Sequence, residues 1–132
     1  MNTNYDDSAK FLLRFTVGFL MLFHGIDKVS NGITGMEGML VNAGIPAFVA
    51  YGVYLGEILA PLMLILGFRV RLAALLIIVT MLMAIVLTSA DDIFTLTKHG
   101  AWAIELQMFY ALTSFVILLQ GAGRYSIEES GR

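Results

Sequence analysis

The sequence predicts an all-α integral membrane protein, a bundle of four transmembrane helices. Three observations carry this. Hydrophobic residues make up 58% of the 132 and charged residues only 14%, where a soluble domain carries roughly a quarter charged. The mean hydropathy is +0.82. The apolar residues gather into four runs near the length, about 20 residues, that a helix needs to cross a bilayer core.

Residues 1–10 read as a short polar tail, loosely ordered because little in "MNTNYDDS" has an apolar face to bury. The first span covers about 11–29. It reads as a retained helix, not a cleaved signal: Arg14 interrupts it and no small-residue cleavage site follows Phe23. In the loop 30–45, Met36, Met39, Leu40 and Ala43 recur at helical spacing. They predict a short interfacial helix lying on the outer membrane surface between the first two spans. The second span covers about 47–68. Pro46 stands just ahead of it, where a missing N–H costs little, and Pro61 lies inside and should bend it. The third and fourth spans cover about 72–90 and 101–122, and residues 123–132 form a second polar tail.

Basic residues orient the bundle. Lys10, Arg14, Arg69, Arg71, Arg124 and Arg132 all fall on one side of an even number of crossings. That side is cytoplasmic by the positive-inside rule, so both termini should be cytoplasmic. No basic stripe is present, so nucleic acid is not a predicted partner. The chain has no cysteine, which excludes disulfides, thiolate metal sites and CxxC chemistry. No phosphate-binding loop, GxGxxG or HExxH occurs. No metal site is predicted: His99 lies outside the spans and makes a poor haem partner for His24, and spacing gives a His24–Glu57–Glu105 set little support.

The informative residues are ionisable groups inside the apolar runs, which cost about 2.5–3.5 kcal/mol each at a bilayer centre. Arg14, His24, Glu57 and Glu105 qualify. At about 1.5 Å per residue, Glu57 falls near the midplane and His24, Lys28 and Glu105 near the outer edge. On a helical wheel Arg14, Gly18, Met21, His24, Gly25 and Lys28 share about a third of the circle, a stripe that should face the bundle. Gly18 and Gly25 would admit a close neighbour, and Gly52, Gly56 and Ala60 form a small-xxx-small series beside Glu57. The candidate catalytic residues are therefore His24, Glu57 and Glu105. Arg14, Lys28 and Tyr54 join them as candidate binding residues. Each has a plainer reading: Arg14 can snorkel to the near surface, Lys28 and Asp27 can be interfacial, and Glu105 can be a surface carboxylate.

The run "GFLMLFHGIDK" (Gly18 to Lys28) after Arg14, with "GIP" at 44–46, "GEILAPLMLILGFRVR" (Gly56 to Arg71), "HGAWAIEL" (His99 to Leu106) and "GAGRYSIEE" (Gly121 to Glu129), resembles the DoxX family of the DoxX/DoxD-like superfamily. The resemblance covers roughly Phe11 to Glu128. It implies a four-helix protein of the bacterial cytoplasmic membrane. DoxD-type relatives are associated with thiosulfate oxidation coupled to quinone reduction, and some DoxX members with oxidative-stress complexes containing superoxide dismutase and a sulfurtransferase. The first reading is thus a membrane subunit of a quinone-linked redox system, with a quinone as cofactor and redox proteins or a second copy as partners. The alternatives are a non-enzymatic membrane anchor or assembly partner, and a protein that handles a small solute or lipid.

Overall fold

The computed structural model describes residues 3–127. The ends of both expected tails, residues 1–2 and 128–132 with Arg132, lie outside the described residues. Helix α1 runs Thr3–Asn31 and α2 Thr34–Asn42. The second span is composite: a 3₁₀ stretch Ala47–Gly52, a π turn Leu55–Leu59, and helix α3 Ala60–Leu66. Helix α4 runs Val70–Thr88 and α5 Glu105–Gln120. Three stretches, Tyr5–Asn31, Ala47–Leu66 and Val70–Thr88, are long and apolar enough to cross a membrane. The described residues contain no strand, only an isolated bridge between Leu96 and Trp102.

Two boundaries differ from the sequence reading, each for a local reason. Helix α1 begins at Thr3, because part of the tail has something to pack on. The Asp7 carboxylate accepts the Arg124 N–H at 3.2 Å, and Lys10 lies over Gly123. The fourth helix begins at Glu105, four residues inside the expected span. Residues 95–103 are held in a hairpin by backbone bonds Ala103 to Thr95 and Thr97 to Ala101, and Trp102 Nε1 donates to the Ile93 carbonyl at 2.5 Å.

The core is one apolar cluster where α1, α3, α4 and α5 meet. Met21, Leu64, Val70, Ile77 and Ile117 are almost wholly buried in it. The opposite faces are apolar as well, as lipid contact requires. Phe11, Phe15, Phe19 and Phe23 climb the outside of α1 at four-residue spacing, each ring 5.3–6.1 Å from the next. A second cluster closes one end of the bundle, where Leu40 of α2 packs with Ile33, Ala50 and Val53.

The contact between α1 and the second span is set by glycine and proline. Pro61 has no N–H to offer the Glu57 carbonyl, four residues earlier, and the chain passes through the π turn immediately before it. Gly25 sits against that carbonyl: a methyl there would lie 2.2 Å from the Glu57 oxygen. Gly18, two turns away, meets the Pro61 carbonyl in the same way, at 2.7 Å. Gly56 faces α4, where a methyl would lie 1.8 Å from Thr80 Oγ1. Gly52 has open space beside it, so the small-residue series packs at Gly56 and Ala60 and not at its outer member.

At the opposite end, Arg14 is buried to 1% exposure. Its guanidinium donates to the Leu64 carbonyl at 2.6 Å and to the Tyr125 carbonyl, and lies 5.4 Å from the Phe11 ring centre. It thus stabilises the C-terminal end of α3, whose last carbonyls lack helical partners, and ties down residues 121–127. It does not snorkel, because those two carbonyls receive its charge-assisted bonds inside the protein.

Gly25→Ala should lower stability by about 1–3 kcal/mol through overpacking, while Gly52→Ala should be close to neutral; thermal unfolding in detergent compares them. Hydrogen bonds to charged groups contribute about 1.5–3 kcal/mol each. Arg14→Leu should therefore speed amide exchange of residues 121–127 by about tenfold or more, read by hydrogen–deuterium exchange.

Candidate functional site

Glu57 is the only carboxylate buried among the described residues. The π turn places it, Gly25 lets α1 close over its backbone, and α1 then brings Lys28 within reach. Lys28 Nζ lies 2.8 Å from Glu57 Oε1, with the Glu57 side chain 5% and the Lys28 side chain 25% exposed. The Tyr54 hydroxyl is 3.4 Å from the Lys28 carbonyl and helps fix the end of α1. A carboxylate at this depth must be paired, and the lysine stem reaches along the bundle to pair it.

Two cavities meet at Glu57. The larger, about 330 Å³, lies between the second span, α2 and α4. Met36, Met39, Val53, Val79, Met83 and Leu87 make its walls predominantly apolar. The hydroxyl protons of its two threonines are committed: Thr80 Oγ1 donates to the Leu76 carbonyl and Thr88 Oγ1 to that of Ala84. Glu57 is the single ionisable group in its wall. The smaller, about 140 Å³, lies among α1, the second span, α4 and α5. His24, Lys28, Glu57, Gln107 and Tyr110 line it with Met21 and Met81. His24 meets the Tyr110 ring edge to face at 5.7 Å between centroids.

The structure thus brings His24, Lys28 and Glu57 together and leaves three expected members outside. Arg14 is at the far end of the bundle, engaged with Leu64 and Tyr125. Tyr54 touches the site only through the Lys28 backbone. Glu105 is exposed in the first turn of α5, where its charge complements the helix N-terminus. Its expected depth depended on a span starting at 101, and the hairpin moves the helix start out to Glu105 itself. Gln107 and Tyr110 escape the sequence criterion of a charged group inside an apolar run. The available signal was Gln107, Tyr110 and Ser114 at i, i+3 and i+7, a polar stripe on one face of an apolar helix. Among the described residues no group of three or more His, Asp and Glu could hold a metal.

Removing one partner of a buried ion pair costs about 3–5 kcal/mol. Lys28 is partly exposed, so Lys28→Met should fall at or below the lower end, near 3 kcal/mol. Adding Glu57→Gln to Lys28→Met should recover most of the loss. A double-mutant cycle on detergent melting curves reads the coupling.

No curated protein and no solved structure shows a significant match to this chain. A family comparison does: residues 9–90 match DoxX, a stretch holding Lys28, Glu57 and both walls of the larger cavity but ending before α5. Over most of its length, then, this is a DoxX sequence, and the chain belongs to the DoxX family.

Proposed function

We propose that this DoxX protein is a quinone-binding subunit of a redox system in the bacterial cytoplasmic membrane. It crosses the bilayer four times with both termini inside. Support for the fourth crossing comes from α5, which lies along α4 as its most extensive partner and receives the Arg71 Nε–H on its Leu118 carbonyl at 3.0 Å. At about 1.5 Å per residue its 16 residues extend about 24 Å, short of a core of about 30 Å, and the bilayer can thin to meet it. Support for the orientation comes from the end of the bundle where Lys10, Arg14, Arg71 and Arg124 gather with the C-terminal segment. Helix α2 then lies at the outer surface.

One observation carries the ligand reading: a predominantly apolar cavity of about 330 Å³ with one ion-paired carboxylate in its wall. Small-molecule sites are of about this size, mostly apolar, with few polar groups that fix orientation. The residues fit a quinone head group. Glu57 would hold it, accepting from a quinol hydroxyl as carboxylate or donating to a quinone carbonyl when protonated. Val53, Val79 and Met83 would enclose the ring, with Met36 and Met39 of α2 over the outer end. When bound, the quinone supplies two-electron chemistry that no cysteine-free side-chain set here can. Lys28 holds the Glu57 side chain in position through their ion pair, and the apolar walls exclude water.

Protein purified in native-lipid particles should carry quinone on solvent extraction, and Glu57→Gln should reduce its content about tenfold, the effect of losing a charge-assisted hydrogen bond. Quinone-free wild-type protein that fails to bind added quinone overturns this reading. A stoichiometric protein partner on protein that neither carries nor binds quinone would favour the membrane-anchor reading.

A further inference from the structure

The smaller cavity calls for its own explanation, because a 140 Å³ space with five polar side chains is unusual inside a membrane bundle. Among the described residues neither His24 nor Gln107 has a side-chain hydrogen-bond partner. Both side chains are half-buried, and polar groups in such a place without protein partners are satisfied by water. The volume holds about four waters at about 30 Å³ each. Every neighbour with a charge or a titratable group faces Glu57 from this side or from the outer end. Lys28 and His24 come from α1 and Tyr110 from α5, Tyr54 stands on the Lys28 carbonyl, and α4 adds no titratable group. On the other side of Glu57 the larger cavity offers no titratable partner and no hydroxyl proton that is not already donated.

We propose that the smaller cavity is a water-filled vestibule through which Glu57 exchanges its proton with the aqueous phase at the end where α1 finishes and α5 starts, with His24 as the relay. The opening lies beside Lys28, a quarter exposed, and Gln107 in the first turn of α5. A proton entering from water is accepted on one ring nitrogen of His24 while the other nitrogen releases one to vestibule water. That water protonates the Glu57 carboxylate, and Lys28 loses its counter-ion. The reverse order returns the proton to the same face. Glu57 therefore has a wet side and a dry side, and it joins them. This holds whatever occupies the larger cavity.

The chain has no cysteine, so one introduced thiol is unique. In proteoliposomes of the full chain, Gln107→Cys should react with a charged, membrane-impermeant methanethiosulfonate to the same extent as Ser30→Cys, an exposed reference on the same side. Val79→Cys, in the wall of the larger cavity, should react with that reagent about a hundredfold more slowly, since reactivity follows thiolate access. An apolar maleimide should still label it. A second measurement follows the proton. In protein acidified until Glu57 is protonated, the infrared band of its carboxyl, identified by its loss in Glu57→Gln, should exchange with deuterium oxide about tenfold more slowly in His24→Phe than in wild type. Gln107→Cys as unreactive as Val79→Cys overturns the vestibule, and exchange unchanged in His24→Phe overturns the relay. Neither readout uses quinone, so failure here is distinct from failure of the quinone reading.

Discussion

A carboxylate inside a membrane bundle has to be given a partner, and the packing of α1 on the second span follows from how Glu57 receives one. Pro61 withholds an N–H from the Glu57 carbonyl, the π turn carries the chain past it, and Gly25 lets the α1 backbone approach that carbonyl. Only at that separation does Lys28, one turn further on, reach Glu57 at 2.8 Å. Substituting Gly25 would therefore disturb a charge as well as a contact. In a low-dielectric interior an ion pair is strong but costly to desolvate, and close packing is what holds the pair in register.

The bundle is polarised from this point. At one end Arg14 joins α1, the C-terminal end of α3 and the returning segment 121–127 into a closed floor. At the other, α2 folds over the second span and α4, with Leu40 as its anchor. Between them Glu57 separates a predominantly apolar cavity from a more polar one. The larger cavity is built from the family-matched part of the chain, whereas Gln107 and Tyr110 of the polar cavity stand on α5, beyond it. The two halves of the site thus rest on different parts of the chain.

The first three spans were legible because bilayer thickness imposes a length and a composition that survive in sequence. The inward stripe of α1 was legible for a related reason, since lipid will not tolerate His24, and Gly18 and Gly25 have no value on a lipid face. The partner of Glu57 was not. Depth counted along the backbone ignores the lysine stem, which spans about one helical turn. Glu105 was overvalued because an apolar run says nothing about whether its first residues form helix or hairpin, and Thr95–Ala103 forms a hairpin. Gln107 and Tyr110 were undervalued because an uncharged polar residue costs little to insert and so leaves a weak mark.

The π turn at Leu55–Leu59 has a consequence for how this span tolerates change. A π turn accommodates one residue more than an α-helical turn, so the helix on either side runs on a different angular phase. One phase presents Ala60, Met63 and Leu64 to the core; the other presents Ala50 and Val53 to α2. Glu57 stands where the two phases meet. Loss of one residue from the turn would let a regular helix form while each flank keeps its face, because the turn is what absorbs the extra residue. Composition and hydropathy would hardly change, yet the bulge that sets the Glu57 carbonyl against Gly25 would be gone. Between Val53 and Ala60 the number of residues is therefore constrained alongside the identities of Gly56 and Glu57.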